Sequence, residues 1–505
     1  MEQQSPETWT NFSQVSQHWR SSALNAPELW TDIPLSCPRW AQEMLTRSKM
    51  AKLTIWSGFS LDTSNPKIIE ALKSCICAMN RVEELRLWQI PRLKMEEIFR
   101  DLPKSAPQLH TLSISVKGRS FRFFGPASIY EDFLCDTERL QCVELTRCKI
   151  SWESQLLTGL TRLFLRHSST ANSSIIQFLH ALQRMPALSV LFLENSIPDD
   201  DSEDPSTYPI VDLPCLQKLH ISSGVGPLTT VLPHITIPHS AKFNLTCREK
   251  QSTQFDFSNF LSVLATKFLS SWTIRGLTLR LLDGMDDGLE FYLRMTVLED
   301  RFPTPTPTYF RPDSQLRLVL TWPSSFSTDR NHAKVLTCAF KAMRFPFLTQ
   351  LQMSTENCID SRTWIETFGT LPRLTWVGVQ SCKPHSFLEA LVYKMEAAEK
   401  SEIAYHTVSF PKLRHIHLEC TDFYGPARDS ISVDMLLDCL RERCERNAEI
   451  RWLGLKYCYY ISSDDVKRLK EVVVDVIWDG KEQELSDEDD EDDSDRDTID
   501  DSDDD

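Results

Sequence analysis

Three stretches decide the fold: Leu160-Thr161-Arg162-Leu163-Phe164-Leu165, Leu188-Ser189-Val190-Leu191-Phe192-Leu193 and Leu216-Gln217-Lys218-Leu219-His220-Ile221, with starts 28 and 28 residues apart. Each reads apolar-x-x-apolar-x-apolar, and its second half alternates as a half-buried strand does. The frame recurs upstream at Val82-Leu85-Leu87, Leu109-Leu112-Ile114 and Leu140-Val143-Leu145. It recurs downstream at Leu348-Leu351-Met353, Leu374-Val377-Val379, Leu413-Ile416-Leu418 and Ile450-Leu453-Leu455, which makes ten copies. Apart from the long stretch between Leu216 and Leu348, successive starts lie 20 to 39 residues apart. A unit this short cannot bury its own apolar face, so such copies are expected to stack on one another.

Proline stands two residues before the first apolar position six times, at Pro107, Pro186, Pro214, Pro346, Pro372 and Pro411. Proline cannot continue a helix, and it biases the residue before it toward extended backbone. It marks the switch from a helix to the next strand. Between strands the period shifts toward 3.6: Ile175, Phe178, Leu179 and Leu182 follow a cap at Ser173 or Ser174. Val433, Leu436, Leu437, Leu440 and Cys444 repeat this, and Ser463-Asp464-Asp465 opens another helix. Val472 to Trp478 reads as a final strand. Cys148, Cys382 and Cys458 fill the Asn/Cys position of the motif, which most other copies miss. Period, pattern and strand-plus-helix units are those of the leucine-rich repeat. The expected class is α/β, an irregular leucine-rich-repeat solenoid read as one elongated array.

The weakest stretch is 223–345, where two or three degenerate repeats are expected. A helix carries Phe257, Phe260, Leu261, Leu264 and Phe268, and strands follow at Ile274–Leu282 and Leu316–Thr321. Phe302 to Pro312 and the acidic run Asp199 to Pro209 read as loops.

The chain carries 71 acidic and 55 basic residues, a net charge of −16. Glu482 to Asp505 holds 16 acids against Arg496 alone, a net of −15. Residues 1–481 therefore stand near neutrality, 54 bases against 55 acids. A basic body that captures nucleic acid through phosphates is excluded. The tail, 481–505, is expected to be disordered and acidic, and Ser486, Ser494 and Ser502 precede acids as acidophilic kinases prefer. Glycine is scarce, 14 residues, and no G-x-x-x-x-G-K, G-x-G-x-x-G, H-E-x-x-H or G-x-S-x-G occurs. No apolar run is long enough to cross a membrane and no C-x-x-C is present. Neither an enzyme nor a cofactor nor a metal is expected. His415-x-His417-x-x-Cys420 has the look of a ligand set, but the repeat phase alone accounts for the histidine spacing. Fifteen cysteines without an export signal suit a cytoplasmic or nuclear protein.

Residues 1–50 do not fit the repeat. Val15, Trp19 and Leu24 stand at helical spacing, Pro27 stops that helix, and Leu29, Trp30 and Ile33 add apolar bulk. About 40 residues cannot bury such a face alone, so it packs on the first repeats as a cap or on a partner. The run Trp9 to Ile33 resembles the second half of a fungal (basidiomycete-type) F-box, through Val15, Trp19, Arg20, Ala23, Leu24, Pro27, Leu29 and Trp30, with Ser16 at a usual Cys. Trp40 to Leu53 and Leu436 to Gly480 resemble the same F-box, leucine-rich-repeat proteins. The resemblance implies that Val15, Trp19, Leu24, Pro27, Leu29 and Trp30 face a Skp-family adaptor subunit. It also implies substrate recognition for a Skp–cullin–F-box ubiquitin ligase. The family's first, Leu-Pro-x-Glu helix stands upstream of the Val15 position and is missing here. Either the start codon is assigned too late or adaptor binding has been lost. The alternative from another class is a stand-alone interaction scaffold. The expected division is 1–50 F-box-like segment and linker, 51–480 repeats, 481–505 tail.

In each strand the residues that alternate with the core positions face the other way. Read out, they give Arg86, Trp88, Arg162, Phe164, Arg166, Phe192, Lys218, His220, Trp376, His415, His417, Trp452 and Lys456 on the concave face. Aromatic and Arg side chains are the usual anchors of protein interfaces, so a protein target is expected there. Neither nucleic acid nor membrane is.

Overall fold

The computed structural model describes residues 15–58, 61, 63–101, 105–118, 127–128, 136–168, 173–199, 204–249, 256–282, 286–295, 314–323, 329–354, 359–381, 384–395, 407–425 and 431–484. Cys382, Phe302 to Pro312, Asp200 to Glu203 of the acidic run and the tail beyond Glu484 lie outside them. The chain forms two compact units, Met1–Ser270 with Ser314–Trp322, and Ser271–Asp313 with Pro323–Asp505. Both are mixed α/β and built on parallel strands. Among the described residues no helix is long and apolar enough to cross a membrane.

In the first unit Asp32–Pro34, Leu53–Trp56, Val82–Ile90, Thr111–Val116, Cys142–Thr146, Arg162–Arg166, Val190–Glu194, Lys218–Gly224 and Lys242–Arg248 pair in chain order, all parallel. Leu316–Pro323 completes the row beside Lys242–Arg248. The register aligns Leu163, Leu191, Leu219 and Phe243 as one core line, and Leu165, Leu193, Ile221 and Leu245 as a second. All eight are buried. Each buried leucine contributes about 2 kcal/mol of transfer free energy, so the repeated pair holds the strands in phase.

In the second unit Gly276–Leu282, Gln350–Ser354, Trp376–Gln380, His415–Glu419, Trp452–Lys456 and Asp475–Trp478 pair in parallel. Asp286–Arg294 runs antiparallel to Gly276–Leu282. Its core is aromatic: Phe340 meets Phe368 at 4.8 Å, Trp364 meets Phe387 at 4.9 Å and Phe387 meets Phe410 at 6.1 Å.

All ten sequence copies are strands. The prolines prove to hold a specific place. Leu109, Leu188, Leu216, Leu348 and Leu413 each donate their backbone N–H to the carbonyl three residues back, of Ala106, Met185, Leu213, Phe345 and Phe410. Proline therefore sits at the second position of a β-turn, whose φ it presets. The expected Ile175 helix spans Ile175–Gln183 and is capped by Ser174, with Gln177 completing the reciprocal box.

The strand ends share a second device. Arg147, His167, Asn195, Cys420 and Tyr457 directly follow their strands with φ of 59°, 53°, 46°, 58° and 51°. This left-handed residue turns the next side chain inward. Cys148 and Cys458 point there, as do Ser168, Ser196 and Thr421. Ser168 Oγ donates to Leu145 O at 3.3 Å, Thr421 Oγ1 donates to Ser381 O at 3.3 Å, and Ser196 Oγ accepts from Ser168 N at 3.1 Å. The Asn/Cys position is thus filled by hydroxyls in repeats that had seemed to miss it.

Lys242–Arg248 is a further parallel strand within 223–345, where degenerate repeats are expected, and Asp286–Arg294 in the same stretch runs antiparallel. Two expected strand starts need correction. The last strand begins at Asp475, because Val472 and Val473 still bond to Leu469 at the end of the preceding helix. The strand expected from Ile274 begins at Gly276.

Candidate functional site

The open strand face of the first unit is built from three rows of side chains, one residue per strand. The middle row runs Arg86, Ser113, Glu144, Phe164, Phe192, His220, Asn244 and Arg317. Parallel pairing in register stacks like positions about 4.8 Å apart, so neighbouring side chains touch. Trp88 Nε1 donates to Ser113 Oγ at 3.0 Å, and Ser113 Oγ donates to Glu144 Oε2 at 3.1 Å. Phe164 and Phe192 lie 6.0 Å apart, and Phe192 stacks on His220 at 4.0 Å and 8°. Arg162 sits over Phe164 at 5.3 Å and Arg166 over Phe192 at 4.7 Å. Each such cation–π contact at a partly exposed site is worth about 0.5–1 kcal/mol.

Arg166 is also held by two carboxylates, Glu144 at 3.7 Å and Glu194 at 3.9 Å, and Arg86 pairs with Glu84 at 2.8 Å. Burial pushes the His220 imidazole down to about 4; Glu194 opposes the shift, and Arg317 and Arg166 add to it. His220 is a neutral stacking surface at physiological pH. Phe164, Phe192, Arg166 and His220 are half-buried and Arg162 and Lys218 exposed, so this face stands open to a ligand. The structure thus brings Arg162, Phe164, Arg166, Phe192, Lys218 and His220 together, with Arg86 and Trp88 further along the same face. Asn244 and Arg317 belong to it too, Arg317 donating to Asn244 Oδ1 at 3.2 Å. They lie on a strand that the repeat template misses and on one that it leaves unread for its facing residues.

The second unit uses the same positions differently. Its middle row is Gln352, Gly378, His417, Gly454. Trp376 and Trp452 lie over the two glycines: a Cβ on Gly378 would stand 2.5 Å from Trp376, and one on Gly454 2.5 Å from Trp452 and 2.6 Å from His417 Nδ1. His417 is sandwiched, 6.3 Å from Trp376 at 16° and 6.1 Å from Trp452 at 19°. Trp452 is 2% exposed and His417 3%. Those two residues offer no surface to a ligand, and their aromaticity is spent on packing. Burial pushes His417 down to about 4, with Lys456 acting in the same direction. His415 is half-buried and its Nδ1 donates to Thr375 O at 3.2 Å. Lys456 stands 3.7 Å from Glu419, whose carboxyl burial raises against the Lys456 charge.

The N-terminal residues divide into two groups. Gln17–Leu24 is a helix capped by Ser16, and Pro27–Trp30 a short 3-10 turn. Trp30 is buried, donates Nε1–H to Ala23 O at 2.8 Å, stacks on Trp40 at 6.5 Å and lies under Arg47 at 4.2 Å. Pro27 is half-buried at the start of that turn. Val15 is 68% exposed, Trp19 54%, Leu24 37% and Leu29 50%. Arg81 ties this region to the repeats, donating to Ser48 Oγ at 3.0 Å, Ala51 O at 2.8 Å and Leu45 O at 3.1 Å.

No family model matches the chain. No curated protein matches it either. Among solved structures it is similar to the TLR13 chain of a TLR13–ssRNA13 complex, with 13% identity and a TM-score of 0.30, over 80% of this chain and 43% of that one. It is similar also to a chain of the yeast Rad7–Elc1 complex, with 13% identity and a TM-score of 0.30, over 73% of each. The chain thus spans less than half of the TLR13 chain.

Proposed function

We propose that the chain is a substrate-recognition adaptor of a Skp–cullin–F-box ubiquitin ligase. Its exposed N-terminal residues contact a Skp-family subunit, and the open face of the first unit holds a protein target. In this reading the protein does no chemistry. It raises the effective concentration of the target beside a bound ubiquitin-conjugating enzyme. The observation that carries the reading is the split within residues 15–30. Trp30 is locked inward as a structural anchor, while Val15, Trp19, Leu24 and Leu29 stay exposed on a short helical platform. Four large apolar side chains facing water over so short a stretch suit a surface that a partner covers. The F-box resemblance names that partner.

Proximity labelling by the full chain in cells, scored for Skp and cullin subunits, tests the reading. Enrichment of both is expected, and its loss in a variant with Trp19→Ser and Leu29→Ser. A labelled set without Skp or cullin subunits sinks the ligase role and leaves the stand-alone scaffold.

A further inference from the structure

Charge is unevenly spread over the open face of the first unit. Arg166 is neutralised by the carboxylates of Glu144 and Glu194. The row at the other side of the aromatic shelf runs Cys142, Arg162, Val190, Lys218 and Lys242 on consecutive strands. Neither Arg162 nor Lys218 has a carboxylate within ion-pair distance among the described residues. Strands lie about 4.8 Å apart, so Arg162 and Lys218 are about 10 Å apart and Lys242 stands one strand beyond. An extended peptide crossing these strands advances about 3.3 Å per residue, so it reaches Lys218 about three residues after Arg162. Phe164 and Phe192 flank the row as a shelf, and Arg162 extends over Phe164. Arg162, Lys218 and the aromatic shelf are thus offered together, while Glu144 and Glu194 are engaged by Arg166.

We propose that this face binds an extended acidic peptide of a partner, with anionic side chains on Arg162 and Lys218 and an aromatic side chain on the Phe164–Phe192 shelf. The inference rests on reading this face as the target site, and it fixes the chemistry of the target. The anions are carboxylates or phosphates, both of which present negative charge and acceptor oxygens to a cation.

The test is fluorescence anisotropy with the purified full chain and no ligase subunit, so the outcome is independent of adaptor binding. Four probes share one length: a Glu-rich peptide with one Phe, the same with Gln for Glu, the same with phosphoserine for Glu, and the Glu peptide with Ser for Phe. The Glu and phosphoserine probes are expected to bind, the tighter of them identifying the anion, and both to weaken steeply with added salt. The Gln probe is expected to bind at least tenfold more weakly. Arg162→Gln with Lys218→Gln, both exposed and so foldable, should weaken the Glu probe at least tenfold. Phe192→Leu, which keeps apolar volume, should weaken the Phe probe several-fold and leave the Ser probe unchanged. Equal binding of the Glu and Gln probes overturns the proposal, as does binding that the Arg162/Lys218 variant leaves intact.

Discussion

Arg443 is 0% exposed and reaches four backbone carbonyls of the second unit. Nη1 donates to Leu391 O at 2.8 Å and Ser409 O at 3.1 Å, Nη2 to Phe410 O at 3.0 Å and Nε to Ala448 O at 3.2 Å. Leu391 lies in the last turn of the helix His385–Val392, whose carbonyls have no partner within that helix. A cation there also meets the negative end of the helix dipole. Hydrogen bonds to a charged group contribute about 1.5–3 kcal/mol each, so four give about 6–12 kcal/mol gross. Burial pushes the guanidinium down to about 10 from 12.5. At about 1.36 kcal/mol per unit that costs about 3 kcal/mol. Arg443→Met fills the space but strands the carbonyls, so the net loss falls at about 4 kcal/mol, within the range for breaking a buried charged cluster. Hydrogen exchange read by mass spectrometry localises the effect. Peptides covering 385–392, 407–419 and 433–445 should exchange about a thousandfold faster under native conditions, the rate equivalent of about 4 kcal/mol. A peptide over 162–166, in the other unit, should not change. Acceleration of less than tenfold in the first three would refute the reasoning that the carbonyl contacts outweigh the burial of the charge.

Other perturbations have defined signs. Gly454→Ala drives a Cβ into Trp452 and His417 and should cost the second unit about 1–3 kcal/mol in urea unfolding. His417 titrates at about 4 in the folded chain against 6.5 unfolded, so its contribution is intact above pH 6.5 and falls as the pH drops toward 4. The pH dependence of unfolding should show about 3 kcal/mol of that loss disappearing in His417→Gln. Arg81→Met removes three hydrogen bonds to residues 45–51, and limited proteolysis should then cut between Arg47 and Leu53 at least tenfold faster with the repeats intact.

The repeat strands are legible because two apolar side chains per strand, plus one before it, must be buried in phase; any copy that keeps Leu163-like and Leu165-like positions declares itself. Lys242–Arg248 escapes because Ser240 occupies the first apolar position, although Phe243, Leu245 and Cys247 alternate as a strand should. The antiparallel strand Asp286–Arg294 escapes for another reason. A repeat template assumes parallel succession and gives no weight to Asp-Gly, a dipeptide that signals hairpins and stands at 283–284 of the sequence. Alternation finds the outward residues but not their fate. Trp376 and Trp452 each stand two residues before a glycine, and that pairing lets the ring fold down over the sheet and bury His417. Phe164 and Phe192 have no glycine beside them in their strands and stand up as a shelf. Trp-x-Gly twice at one repeat position was the available signal that the second unit's aromatics are packing.

The adaptor reading is tested most directly by mixing the purified full chain with a purified Skp-family subunit and following the complex by size-exclusion chromatography with light scattering. The wild-type chain is expected to form an equimolar complex. The double variant Trp19→Asp, Leu29→Asp is expected to elute alone while unfolding at the wild-type temperature. A wild-type chain that elutes alone, or a double variant that still co-elutes with the Skp subunit, would contradict the assignment of the N-terminal platform to adaptor binding.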